Sequence, residues 1–129
     1  MNTYTNLVFE GGGVKGIAYA GALQVLETRG VLAQIEKVAG TSAGAITACL
    51  LSLRYDATYI TKTIKNLNFK QFEDKEWFWK KFWYYGFHPG DAFLKWLENQ
   101  IAKSQHGFGP SATFADFAAK DCRDLHVFA

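Results

Sequence analysis

Residues 38–46 read Val-Ala-Gly-Thr-Ser-Ala-Gly-Ala-Ile, and this stretch decides how the chain folds. Gly40 and Gly44 flank Ser42 at two positions on either side. Glycines at this spacing suit a sharp turn from a strand into a helix, which lifts the serine hydroxyl clear of the backbone. In such a turn the backbone N–H of Ala43 is a natural donor to a developing oxyanion. The pattern predicts a serine nucleophile for acyl transfer.

A glycine-rich loop precedes this motif, because residues 11–16 read Gly-Gly-Gly-Val-Lys-Gly. The bare N–H groups of Gly11, Gly12 and Gly13 suit a second side of the oxyanion hole, and Gly16 completes the motif. Taken alone, the later pentapeptide also fits a serine that merely caps a helix. The glycine loop, together with a strand before Ser42 and a helix after it, favours the nucleophile.

The same loop also fits the Gly-x-Gly-x-x-Gly fingerprint of dinucleotide-binding proteins. That fingerprint requires an acidic residue about 20 positions further on, at the end of the second strand, to hold the ribose. Here Glu27 and Glu36 both precede the second strand, which runs directly into the serine motif. The spacing therefore disfavours a nicotinamide cofactor, and we expect no cofactor.

Composition describes a globular protein of about one domain, with 129 residues, 49% hydrophobic and 20% charged. A net charge of +2 is too small to indicate nucleic-acid binding. Two cysteines, Cys49 and Cys122, make neither a disulfide framework nor a metal cluster, so we expect no metal and a reducing, cytoplasmic location. We identify no signal peptide, and the longest nearly uncharged apolar segment, residues 43–53, is too short to span a bilayer.

Strands and helices alternate along the chain. Apolar runs predict strands at 6–10, 37–39 and 125–128, and helical spacing predicts helices at 17–29, from Ser42 to about 53, at 57–67 and from Asp91. Thr113 and Asp116 form a capping box at the start of a short further helix. The order predicts an α/β fold with a mainly parallel sheet. A strand at the extreme C-terminus of this alternation predicts a chain cut inside a larger α/β domain.

Residues 6–23 and 38–46 closely resemble the patatin-like phospholipases, and residues 86–96 and 124–129 do so more weakly. The resemblance implies a three-layer α/β/α sandwich and hydrolysis of the acyl esters of membrane lipids, of the phospholipase A type. It implies a Ser–Asp dyad in which the carboxylate takes the serine proton directly. Ser42 would be the nucleophile, Gly11 to Gly13 would line the oxyanion hole, and Lys15 occupies the basic position of the family's loop.

One part of the family pattern is missing. The family's aspartate lies in a downstream Asp-Gly pair, whereas none of the six aspartates here is followed by glycine. We therefore expect residues 1–129 to be the nucleophile half of a patatin-like domain, inactive without an aspartate from elsewhere. Two alternatives remain open: a non-catalytic lipid-binding or regulatory protein, and a Ser-His-Asp esterase that uses His88, His106 or His126.

An aromatic block spans Trp77 to Phe87 and contains two lysines, Lys80 and Lys81. Tryptophan, tyrosine and lysine together suit the interface of a membrane, where rings lie at the depth of the headgroups. The same rings also suit packing on a core or over a cleft. The sequence leaves peripheral membrane contact and internal packing both open.

Overall fold

Three parallel strands form the sheet that carries the serine motif. The computed structural model describes residues 3–67, 90–109 and 111–128. The strands are β1 (Asn6–Phe9), β2 (Lys37–Thr41) and β3 (Asp124–Phe128), in the spatial order β1-β2-β3. The helices are α1 (Ile17–Thr28), α2 (Ala43–Ser52), α3 (Ala57–Asn66), α4 (Gly90–Ala102) and α5 (Phe114–Ala118), with 3-10 turns at Gly13–Gly16 and Leu32–Gln34.

The register of the sheet separates a buried face from an exposed one. Leu7 of β1 pairs with Val38 of β2, and Val38 pairs with Leu125 of β3, so these three side chains share the face that packs against the helices. Val8 and His126 lie on the opposite face and are exposed. In the described residues, the helices that pack on the sheet therefore cover one of its faces.

Two apolar clusters hold the helices to the sheet. The larger one joins β1 and β2 to α1, α2 and α3, and its fully buried members include Leu23, Leu50 and Ile60. The smaller one joins α2 to the segment before β3 through Cys49, Leu53, Phe108 and Phe117. Cys49 is thus a small core residue. The α/β class and the parallel sheet are confirmed.

Most helix and strand ends predicted from the sequence lie within two residues of the ends in the structure. Gly30 has φ +71° directly after the C-cap of α1, a left-handed conformation that glycine adopts without a steric penalty. The capping box is confirmed, because the Asp116 carboxylate accepts from the N–H of Thr113 at 2.7 Å while the Asp116 N–H donates to the Thr113 hydroxyl. Strand β2 is longer than predicted and reaches Thr41, since β1 and β3 pair with it on both sides.

A buried arginine that the sequence did not reveal ties β3 to the rest of the fold. Arg123 is 7% exposed and donates to three backbone carbonyls, those of Leu32, Ile35 and Leu51, at 2.6–3.0 Å. Burial and, secondarily, the neighbouring cation Arg54 lower the pKa of Arg123 to about 10. Leu51 lies in the last turn of α2, where the helix dipole favours a cation. Arg123 thereby fixes the end of α2 relative to the sheet.

Candidate active site

Ser42 forms a strained elbow between β2 and α2. It is the single residue that separates Thr41, the last residue of β2, from Ala43, the first of α2. Its backbone has φ +49° and ψ −126°, which costs a residue with a side chain roughly 1–3 kcal/mol. The Ser42 hydroxyl makes no capping hydrogen bond to the helix, and the residue is exposed. The hydroxyl is therefore not used to start α2 and is free to meet a ligand.

The two motif glycines are required by close backbone contacts. A methyl group on Gly44 would lie 2.5 Å from the carbonyl oxygen of Phe9 and 2.7 Å from that of Glu10. A methyl group on Gly40 would overlap the backbone of Gly44. The first turn of α2 thus packs directly on the ends of β1 and β2, which leaves no space for a side chain at either position.

Both ends of the glycine loop lie against the elbow. A methyl group on Gly11 would lie 3.0 Å from Oγ1 of Thr41 and 3.2 Å from Cβ of Ser42. At the other end of the loop, a methyl group on Gly16 would lie 3.4 Å from Cβ of Ala43. The fold brings together the two motifs that the sequence predicted to act together.

The middle of the loop is open to solvent. Gly12 and Gly13 are exposed, and Gly13 has φ +54°. The carbonyl of Gly12 accepts a hydrogen bond from the N–H of Lys15 at 3.0 Å, which closes the 3-10 turn. Lys15 itself is exposed. Its position puts a positive charge on the same loop that lies against Ser42.

A large apolar cavity opens beside Ser42. Its volume is about 680 Å³, within the usual range for sites that bind small molecules. Apart from Ser42 and Gly13, its lining comprises Ala43, Ala45, Ile46 and Cys49 of α2, Phe93, Leu97 and Ile101 of α4, Ala112, Thr113, Phe114 and Phe117 around α5, and Leu125, Val127 and Phe128 of β3. The lining carries two hydroxyl groups, and that of Thr113 donates to the Asp116 carboxylate at 2.7 Å. The Ser42 hydroxyl is therefore the candidate nucleophile beside hydrocarbon walls.

This cavity explains why α2 is apolar nearly all round. One side of the helix packs on the sheet, and the side that carries Ala45, Ile46 and Cys49 lines the cavity. The cavity residues on α4, α5 and β3 escaped sequence reasoning, because their apolar spacing predicted only that they would be buried. The apolar second face of α2 is the one sequence feature that could have indicated a cavity on that side of the helix.

The Cys49 thiol does not compete with Ser42 as a nucleophile. Burial, with a smaller effect from Cys122, raises the pKa of Cys49 to about 12. The thiol is therefore neutral at physiological pH, and a neutral thiol is a poor nucleophile. Cys49 acts as part of the apolar wall.

The described residues place no acid or base in the cavity: its lining contains no histidine, aspartate or glutamate. His126 pairs with Asp124 at 3.1 Å on the exposed face of the sheet. His106 contacts the carbonyl of Leu53 at 3.2 Å. Neither histidine therefore lines the cavity beside Ser42. His88 and the aromatic block from Trp77 to Phe87 lie outside the described residues, so the predictions made for them stay predictions.

Comparisons with known proteins show the family and the fold of the chain. The family model described as patatin-like phospholipase matches residues 7–127. The uncharacterized protein YqhO of Bacillus subtilis (strain 168) is 37% identical over 116 residues, which cover 82% of this chain and 39% of YqhO. The chain thus spans well under half of the length of this relative.

Solved structures show the same fold within larger chains. VipD from Legionella pneumophila is 32% identical with a TM-score of 0.61, over 78% of this chain and 17% of VipD. The type III effector ExoU, found in Pseudomonas aeruginosa, has a TM-score of 0.74 over 98% of this chain and 33% of the ExoU chain. Its identity of 24% supports the fold alone. No helix among the described residues is long and apolar enough to cross a membrane.

Proposed function

Because the chain belongs to the patatin-like phospholipase family, we propose that it carries the nucleophile of a lipid acyl hydrolase of the phospholipase A type. In this proposal Ser42 is the nucleophile, and the N–H groups of Gly11, Gly12, Gly13 and Ala43 form the oxyanion hole. Gly16, Gly40 and Gly44 allow the close packing that brings these groups together. Residues 1–129 then form the nucleophile-bearing part of the domain.

The observation that carries the proposal is the position of Ser42 at an apolar cavity of about 680 Å³. Burying a methylene group in apolar surroundings is worth about 0.8 kcal/mol, so a fatty acyl chain gains more from this cavity than a short polar acyl group does. An ester of a lipid that places its chain in the cavity brings its carbonyl carbon to the serine at the rim. The substrate class that fits is therefore a long-chain acyl ester.

The reaction is an acyl transfer in two steps. Ser42 Oγ attacks the ester carbonyl carbon, its proton passes to a carboxylate base, and the tetrahedral oxyanion is held by the backbone N–H groups. Collapse of this intermediate breaks the bond to the alcohol, which leaves with the proton from the base. Water then attacks the acyl-serine with the help of the same base, which releases the fatty acid and restores Ser42.

The carboxylate base is proposed to come from outside the residues that line the cavity here. The chain has no Asp-Gly pair, and the cavity lining among the described residues has no carboxylate. The chain also spans only 39% of YqhO. We therefore expect the 129 residues alone to be inactive as an esterase, since an unassisted serine hydroxyl is a weak nucleophile.

A lipid substrate also gives the aromatic block a role at a membrane surface. Trp79 and Trp83 lie within this block, together with two lysines that favour anionic headgroups. Peripheral contact of a cytoplasmic protein would present the cavity to its substrate. Binding to vesicles of anionic phospholipid should weaken when Trp79 and Trp83 are both replaced by alanine, and unchanged binding would eliminate this role.

The experiment that tests the proposed function compares the complete protein with its Ser42→Ala variant on a long-chain phospholipid and on a short-chain ester. The proposal predicts that the variant loses turnover of both substrates while it keeps its fold. Equal turnover by the two proteins would eliminate Ser42 as the nucleophile. Lipid binding without turnover in the unsubstituted protein would instead support the non-catalytic alternative.

A second variant tests the acyl site. Cys49 lines the cavity one helical turn after Ile46. Cys49→Phe should fill part of the cavity with a ring and so shift the substrate preference of the protein towards shorter acyl chains. The measurement is the ratio of kcat/KM for a long-chain and a short-chain ester of the same alcohol. An unchanged ratio would contradict binding of the chain in this cavity.

A further inference from the structure

Tyr19 connects α1 to the start of the glycine loop. Its hydroxyl donates a hydrogen bond of 2.5 Å to the backbone carbonyl of Glu10, the residue immediately before Gly11. Its ring packs edge-on against Phe9, with 5.2 Å between the ring centres and an angle of 72° between the planes. Tyr19 thus contacts Phe9, the last residue of β1, with its ring, and Glu10, the residue between β1 and the glycine loop, with its hydroxyl.

The same carbonyl is also confined by α2. A methyl group on Gly44 would lie 2.7 Å from the Glu10 oxygen, so the first turn of α2 closely approaches this carbonyl. Glu10 therefore has Tyr19 of one helix and Gly44 of another against its carbonyl oxygen. Two contacts from separate elements leave the peptide plane between Glu10 and Gly11 little freedom to rotate.

The orientation of this plane matters because a trans peptide fixes its C=O and N–H in opposite directions. Holding the Glu10 carbonyl consequently holds the N–H of Gly11. Gly11 is the loop glycine that lies against Ser42: a methyl group added to Gly11 would lie 3.2 Å from the Cβ atom of Ser42. We propose that Tyr19 is a positioning residue, whose hydroxyl sets the direction of the Gly11 N–H in the oxyanion hole. This inference rests on the proposed function for its catalytic consequence.

Packing of the Tyr19 ring on Phe9 gives no reason for a hydroxyl group at this position. Phenylalanine would make the same edge-on contact with Phe9, and the partly exposed Tyr19 has water available as another partner. The hydrogen bond to the Glu10 carbonyl is therefore the contact that separates a positioning role from simple packing. Tyr19→Phe removes that contact and keeps the ring.

The test compares Tyr19→Phe with Tyr59→Phe in the complete protein. Tyr59 is a matched control, because its hydroxyl also donates one hydrogen bond, to Oε1 of Gln100 at 2.8 Å, in a contact between α3 and α4. Misplacement of a reacting group by about 1 Å can cost on the order of 100-fold in rate, so we expect kcat of Tyr19→Phe to fall about 10- to 100-fold with KM within twofold. Tyr59→Phe should change neither. A purely structural role would lower the melting temperature of both variants without this fall in kcat.

A second measurement keeps the inference independent of turnover. The amide resonance of Gly11, followed by NMR with 15N-glycine labelling, should shift and exchange faster in Tyr19→Phe than in Tyr59→Phe. If Ser42→Ala keeps full turnover, the proposed function fails, and the NMR measurement on the Gly11 amide alone tests whether Tyr19 positions the loop. An unchanged Gly11 amide, or an unchanged kcat in a protein that depends on Ser42, would overturn the role of Tyr19.

Discussion

Replacing Ser42 by glycine should stabilise the protein, although Ser42 is the residue on which the proposed activity depends. Its backbone, at φ +49° and ψ −126°, lies where glycine is comfortable and a residue with Cβ is strained. Such strain costs roughly 1–3 kcal/mol. Glycine loses more backbone entropy on folding, by about 0.5–1 kcal/mol. The net expectation for Ser42→Gly is an unfolding free energy higher by about 1 kcal/mol, within bounds of about 0 and 2.5 kcal/mol.

Ser42→Ala is the matched control for this prediction. Alanine keeps the Cβ and therefore the strain, and the serine hydroxyl makes no capping hydrogen bond that its removal would lose. We expect Ser42→Ala to stay within about 0.5 kcal/mol of the unsubstituted protein. Both variants should lose turnover, so that stability and activity change in opposite directions in the glycine variant alone.

Urea denaturation followed by circular dichroism measures the difference, provided that the slope with urea is the same for the three proteins. A glycine variant no more stable than the alanine variant would refute the strained elbow. The result would then mean that Ser42 adopts an ordinary backbone conformation in solution. The fold would then present this hydroxyl at no cost in stability.

Three further substitutions test contacts on which the fold and the site depend. Gly44→Ala should destabilise the protein by about 1–3 kcal/mol, because its methyl group would overlap the Phe9 carbonyl. Gly21→Ala is the control: Gly21 has open space around it in α1, so this substitution should be neutral or stabilising. Equal melting temperatures for the two variants would contradict the close packing at Gly44. Arg123→Met should lower the unfolding free energy by about 1–3 kcal/mol, since it leaves the buried Ile35 carbonyl without a donor. The Leu32 and Leu51 carbonyls lose the guanidinium but keep the backbone N–H groups of Ile35 and Arg54. A loss below about 1 kcal/mol in urea would be inconsistent with this. Burial raises the pKa of Cys49 in the folded state from 9.0 to about 12, so the unfolded chain loses this proton first as the pH rises. The unfolding free energy should therefore fall from about pH 9 upward more steeply than in Cys49→Val. Parallel curves of unfolding free energy against pH for the two proteins would exclude the effect.

The sequence predicted the elements and the two motifs because each depends on local chemistry. Glycines at fixed offsets from Ser42 indicate the turn, and the pairing of Thr113 with Asp116 indicates a helix start, with no knowledge of the rest of the chain. Gly40 and Gly44 were read as conformational freedom for the elbow. In the structure their stronger reason is contact, since backbone from neighbouring elements occupies the space of a side chain.

Features that depend on distant residues were not predictable. Arg123 reads as a surface cation, and only the fold places three carbonyls from two other segments around it. The cavity combines residues of α2, α4, α5 and β3, whose apolar spacing predicts burial but not a void beside Ser42. Tyr19 likewise lies in an ordinary helical pattern, and its contact with Glu10 requires the helix to fold back on β1.

The central claim is tested most directly by covalent labelling of Ser42, whose Oγ would displace fluoride from a fluorophosphonate and form a stable phosphonyl-serine. The complete protein would be treated with a fluorophosphonate that carries a long alkyl chain, digested, and analysed by mass spectrometry, with a short-chain fluorophosphonate as control. We expect a covalent adduct on the peptide containing Ser42, faster formation with the long chain, and no adduct in Ser42→Ala. An adduct on a different residue, or labelling that is equally fast in Ser42→Ala, would contradict the central claim.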